Sequence, residues 1–108
     1  KILFNGKAAL VVVTQELLKE YDIELDEIDG VINYVRDIEG VEIAILLKEI
    51  TDDEVKISFR SKYDIDVNDL AKRFNGGGHK KAAGARVKGN IGTVENNIIN
   101  QLKLDLGW

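Results

Sequence analysis

The 108 residues contain no cysteine and no methionine, and only one histidine, His79. Without cysteine there is no disulfide and no thiolate chemistry, and a cytoplasmic home is compatible with that lack. A lone histidine with no nearby carboxylate cluster cannot build a metal site by itself, so none is expected in these residues. No apolar run approaches the roughly 18 residues that a membrane span needs, and nothing resembles a signal peptide. The chain starts at Lys1 and has no initiator residue, so it is expected to be an excised piece of a longer polypeptide. No Walker-type glycine loop, nucleophile elbow or Asp-rich cluster is present, and no catalytic residue is assigned.

What remains is an ordinary globular composition of one-domain length, able to bury a core. The net charge of −4 conceals an asymmetry. Residues 1–55 carry 5 basic and 14 acidic side chains, whereas residues 56–90 carry 9 basic and 3 acidic. A basic segment inside an acidic chain points to a localised anion site.

The patterning mixes strands and helices. Asn5-Gly6 favours a tight hairpin turn between a strand at Ile2–Phe4 and one at Ala8–Thr14. The second of these is apolar throughout, as in a strand covered on both faces. Gln15–Tyr21 suits a short helical turn. Asp26 is a candidate N-cap for a helix with Ile28, Val31, Ile32 and Val35 on one stripe. Val41–Ile50 reads as another buried strand. Val55, Ile57 and Phe59 alternate with Lys56, Ser58 and Arg60, so Arg60 is expected opposite Phe59. Asp66 can cap a helix that buries Val67, Leu70, Ala71 and Phe74 and stops at the glycines. Ala85–Lys88 suggests a last strand, and Thr93 can cap a last helix burying Val94, Ile98 and Leu102. The predicted class is α+β, a mixed sheet of about five strands with helices packed on it.

Asn75-Gly76-Gly77-Gly78-His79-Lys80-Lys81 is the informative stretch. Three residues without Cβ atoms let a ligand approach the backbone, and their amides can gather into a concave anion site. If Gly78-His79-Lys80 opens a helical turn, its free amides add positive potential. His79 and the lysines supply donors beside it, and the expected ligand is a phosphate. The same glycines would also serve merely to stop a helix. Arg60 offers a planar donor fork for phosphate or a base, and Ser61 a hydroxyl; alternatively Arg60 pairs with one of the many acids.

Phe59-Arg60-Ser61-Lys62, a helix over Asp66–Phe74, Asn75–His79 and then Ala82-Ala83-Gly84 together resemble the DHH-associated C-terminal domain of the DHH phosphoesterases. Gly30–Val41 fits the same pattern, so the resemblance covers nearly the whole chain, 1–108. It is nearest to the nanoRNase (oligoribonuclease) and pAp-phosphatase branch. The resemblance implies a substrate-binding domain whose Arg60, Ser61, Asn75, Gly76, Gly77, Gly78 and His79 hold short RNA or a nucleotide such as pAp. It also implies an N-terminal DHH domain of the same polypeptide, absent from these residues, in which Mn²⁺ ions activate water. This domain is then cofactor-free and inactive alone. The related alternatives are a non-catalytic RNA-binding module of the kind found in alanyl-tRNA synthetases, and a cyclic-dinucleotide phosphodiesterase domain.

Overall fold

Period-two alternation from Val55 to Phe59 becomes a strand whose three apolar residues are at most 1% exposed. The fold around it is given by a computed structural model describing residues 1–108, with every side chain but that of Leu25. Its strands are β1 (Ile2–Leu3), β2 (Ala8–Val13), β3 (Ile43–Thr51), β4 (Glu54–Ser61), β5 (Gly77–His79) and β6 (Ala82–Lys88). They form one mixed sheet in the order β1-β2-β3-β4-β6-β5. Its helices are α1 (Gln15–Glu20), α2 (Val31–Arg36), α3 (Val67–Lys72) and α4 (Ile91–Leu106), with a 3-10 turn at Leu25–Ile28. The architecture is α+β as expected, with one strand more than the sequence suggested.

β2 and β3 run parallel, joined by the segment that carries α1 and α2, and all other pairs are antiparallel. Helices lie on both faces. On the first face, α3 and α4 cover Leu10, Ile45, Ile57 and Phe59 with Val67, Leu70, Ile98 and Leu102. On the second face, Leu18 and Ile32 from α1 and α2 cover Val13, Ala44 and Leu46. β2 and β3 are therefore sandwiched, which is why their sequences read as continuous apolar runs. β4 and β6 keep a half-polar second face, and among the described residues no helix covers it beyond α2.

Several helix starts differ from the sequence expectation. Asp26 sits inside the 3-10 turn, and α2 begins after Gly30. Asp29 forms an ion pair with Lys48, whose side chain is 3% exposed. Thr93 is also not a cap: Asn90 takes that position and accepts from the Thr93 amide at 2.9 Å. At α4 two neighbouring polar side chains could take the cap and Asn90 does, whereas α2 starts after Gly30 with no side-chain cap. The Asn5-Gly6 turn is longer than a two-residue hairpin. Leu3 pairs with Ala8, so Phe4–Lys7 forms the loop, with positive φ at Phe4, Asn5 and Gly6. Trp108 packs against Phe4 there, with ring centroids 5.4 Å apart.

Candidate substrate-anion site

The glycine-rich segment begins where α3 ends. Asn75 adopts a left-handed conformation (φ 61°), its amide donates to Lys72 O at 3.1 Å, and the Gly76 amide donates to Ala71 O at 2.9 Å. This pair of bonds satisfies the last helical carbonyls and turns the chain sharply. The chain then runs extended as β5 and returns through Lys80-Lys81 into β6. The tip of this hairpin is fastened: Lys80 O accepts from the Val67 amide at 2.8 Å, and Lys81 O from the Ser61 amide at 3.0 Å.

This geometry corrects two expectations. Gly78-His79-Lys80 does not open a helical turn, and the three glycine amides do not converge on a cradle. Gly77 and Gly78 belong to an edge strand, and the Gly78 amide donates to the Asn68 side chain at 3.0 Å. The glycines serve close approach instead. A Cβ on Gly76 would stand 2.6 Å from Ala85 Cβ, and one on Gly78 would stand 2.6 Å from Ala83 Cα. One on Gly77 would meet only Asn68 Oδ1, at 3.5 Å. Gly76 and Gly78 thus let this segment lie tight on β6, whereas a methyl at Gly77 would make only ordinary contact with Asn68 of α3.

What the hairpin builds is a shared face. Ala82 is the direct cross-strand partner of both Arg60 on β4 and His79 on β5. Directly paired residues point to the same side of a sheet, so all three project from the second face. One strand spacing on either side of Ala82 puts the Arg60 and His79 backbones about 10 Å apart. Their side chains can therefore reach a single anionic group over the alanine methyl. The next row along is Ser58, Gly84 and Gly77. An open hollow of about 310 Å³ lies over these rows, lined by Lys56, Ser58 and Arg60, by Gly77 and Gly78, and by Ala82–Gly84.

The hollow is cationic. Among the described residues Arg60, Lys56 and His79 form no ion pair with a carboxylate, although Arg86 pairs with Glu54 at 3.4 Å. Arg60 Nη1 donates to the Phe59 carbonyl at 2.9 Å, which leaves most of the guanidinium donors free. The alternative of Arg60 as one half of a surface ion pair is thus not what the structure shows.

The structure sorts the residues that the sequence proposed. Arg60 and His79 flank Ala82, and Arg60, Gly77 and Gly78 line the hollow. Ser61 does not: it is 2% exposed and its hydroxyl donates to Lys80 O at 3.4 Å, beneath the hairpin tip. Asn75 is exposed but makes the left-handed turn that follows α3, and Gly76 is the packing contact against β6. Lys56, Ser58 and Gly84 went unassigned. Their signal was present in the alternation that puts Lys56, Ser58 and Arg60 on one side of β4. The donor set does not fit a divalent metal. The hollow presents ammonium and guanidinium groups, and among the described residues no three His, Asp or Glu side chains come together.

A family model described as the DHHA1 domain matches residues 5–104. The chain belongs to the DHHA1 family. This DHHA1 domain is 32% identical over 83 residues to the bifunctional oligoribonuclease and PAP phosphatase NrnA of Bacillus subtilis, covering 77% of this chain and 26% of that protein. An exopolyphosphatase-related protein from Bacteroides fragilis has the same fold at a TM-score of 0.83 and 29% identity, over 100% of this chain and 33% of that one. The C-Ala domain of Aquifex aeolicus alanyl-tRNA synthetase shares the fold alone, with a TM-score of 0.63 at 10% identity over 88% of this chain and 89% of that one. The chain spans about a quarter of the Bacillus subtilis protein and a third of the Bacteroides fragilis one.

Proposed function

We propose that this DHHA1 domain is the substrate-holding half of a phosphoesterase acting on short oligoribonucleotides or nucleotide phosphates such as pAp. Arg60 and His79 grip one phosphate across Ala82, and the flat glycine surface beside them admits the nucleoside close to the backbone. The observation that carries this reading is the pairing of Arg60 and His79 with the same small residue on an uncovered cationic face. Similarity to an oligoribonuclease and PAP phosphatase supports the substrate class. The metal chemistry, in this reading Mn²⁺-dependent, belongs to a DHH domain of the same polypeptide, since the donors here suit an anion. This domain then contributes orientation: it holds the scissile phosphate in one place, which converts random encounters into productive ones.

The test is hydrolysis of pAp and of short RNA by the intact polypeptide. Arg60→Ala and His79→Ala are each expected to lower kcat/KM by at least about tenfold, the scale of a lost charge-assisted hydrogen bond, with thermal stability retained. Full kcat/KM in both variants would remove the assigned roles. Binding of RNA without hydrolysis would turn the reading toward a nucleic-acid-binding module.

A further inference from the structure

The hollow is longer than one phosphate requires. Lys56 and Arg60 both line it from the same face of β4, with Ser58 between them. Four residues along a strand place their backbones about 13 Å apart. That separation along the strand exceeds the one across Ala82, so Lys56 and Arg60 mark separate places on the face. Between them the floor is stripped of bulk: the Ser58 row continues as Gly84 and then Gly77. Two separate cations and a backbone floor suit a flat group with an anion at each side.

The charges around Lys56 favour this use. Its cross-strand neighbours are Lys48 on β3 and Arg86 on β6. Lys48 is buried and taken up by Asp29, and Arg86 is held by Glu54. Lys56 is half-buried, and among the described residues it has no carboxylate partner. Asp29 and Glu54 are thus engaged by the other two cations of the row, and the Lys56 ammonium is the one available to a ligand there.

We infer that Lys56, with Ser58, forms a second anion subsite of the same face, so that the hollow takes a linear nucleotide bearing two phosphates separated by one nucleoside. The first phosphate sits at Arg60 and His79, the nucleoside lies over Gly77 and Gly84, and the second phosphate meets Lys56. This rests on the proposed function for the first phosphate and adds the second.

Equilibrium binding to the intact polypeptide in EDTA tests it, with two probes: the 5′-phosphorylated dinucleotide pApA, which carries two phosphates, and ApA, which carries one. Wild type is expected to bind pApA about tenfold more tightly than ApA, as one further charge-assisted contact provides. Lys56→Gln is expected to remove most of that preference by weakening pApA about tenfold and ApA less than about twofold. Arg60→Ala is expected to weaken both probes. Equal affinity of wild type for the two probes, or a Lys56→Gln variant that keeps the preference, overturns the second subsite and leaves the first standing. An Arg60→Ala variant that binds both probes like wild type overturns the proposed function itself, and the second subsite with it.

Discussion

Arg60 and His79 lie 19 residues apart in the chain and flank the same alanine, each as its direct cross-strand partner. That relationship exists only because the chain stops a helix at Asn75, lays Gly77–His79 on the edge of the sheet and returns through Lys80-Lys81. The site is a property of the hairpin, and its stability depends on how the hairpin is packed.

The three glycines should respond differently to alanine. Gly76→Ala and Gly78→Ala each push a methyl into β6, with atoms 2.6 Å away. Overpacking of this kind costs about 1–3 kcal/mol. At Gly77 the nearest atom is Asn68 Oδ1 at 3.5 Å, ordinary contact. Gly77→Ala should therefore cost under about 1 kcal/mol. Urea denaturation of the three variants checks the order. Equal losses at all three would contradict the extended edge strand.

Asn68 should govern how firmly the edge strand is held. Its side chain accepts from the Gly78 amide at 3.0 Å, a group that β6 does not satisfy. Asn68→Ala removes that acceptor, at a cost of about 0.5–1.5 kcal/mol. Amide hydrogen exchange at Gly78 should accelerate while the β4 amides keep their protection. Unchanged exchange at Gly78 would show that this bond does not hold the strand.

Asn75 should behave as a helix terminator. Its φ of 61° is a conformation that glycine adopts freely and branched residues resist. Asn75→Gly is expected to leave stability within about 0.5 kcal/mol, and Asn75→Val to lower it by about 1–2 kcal/mol. Thermal melts separate the two. A Val variant as stable as wild type would contradict the left-handed cap.

The buried ion pair on the second face should be asymmetric. The Lys48 side chain is 3% exposed and that of its partner Asp29 is 49% exposed. Asp29→Ala strands a buried cation and should be clearly destabilising, whereas Lys48→Met replaces it with matching apolar volume and should cost little. The reverse order in chemical denaturation would contradict this account of the pair.

Much of the fold was legible because the sheet's patterns are unambiguous. Alternation at Val55–Phe59 gave both the strand and the side on which Arg60 stands. The unbroken apolar runs of β2 and β3 gave strands covered on both faces. Helix starts were less legible, since competent caps stand close together: Asn90 caps α4 three residues before Thr93, and α2 starts after Gly30 with no side-chain cap although Asp26 and Asp29 precede it. β5 was not legible at all. Glycine has little intrinsic strand preference, so Gly77–His79 is a strand through close packing on β6, a reason that local propensity does not carry. The sequence proposed Arg60, Gly77, Gly78 and His79 around converging amides; the structure instead relates Arg60 to His79 through their common partner Ala82, and places Gly77 and Gly78 in the lining of the hollow. Ser61 looked available because it follows Arg60, yet one step along a strand reverses the face, and it is buried.

The central claim is that Arg60 and His79 hold the same phosphate, and a double-mutant cycle tests it most directly. Affinity of the intact polypeptide for pAp is measured for wild type, Arg60→Ala, His79→Ala and the double variant. Residues sharing one ligand group should show a coupling of at least about 0.5 kcal/mol, the double variant losing less than the two single losses combined. Strictly additive losses, or no loss in either single variant, would contradict the shared site.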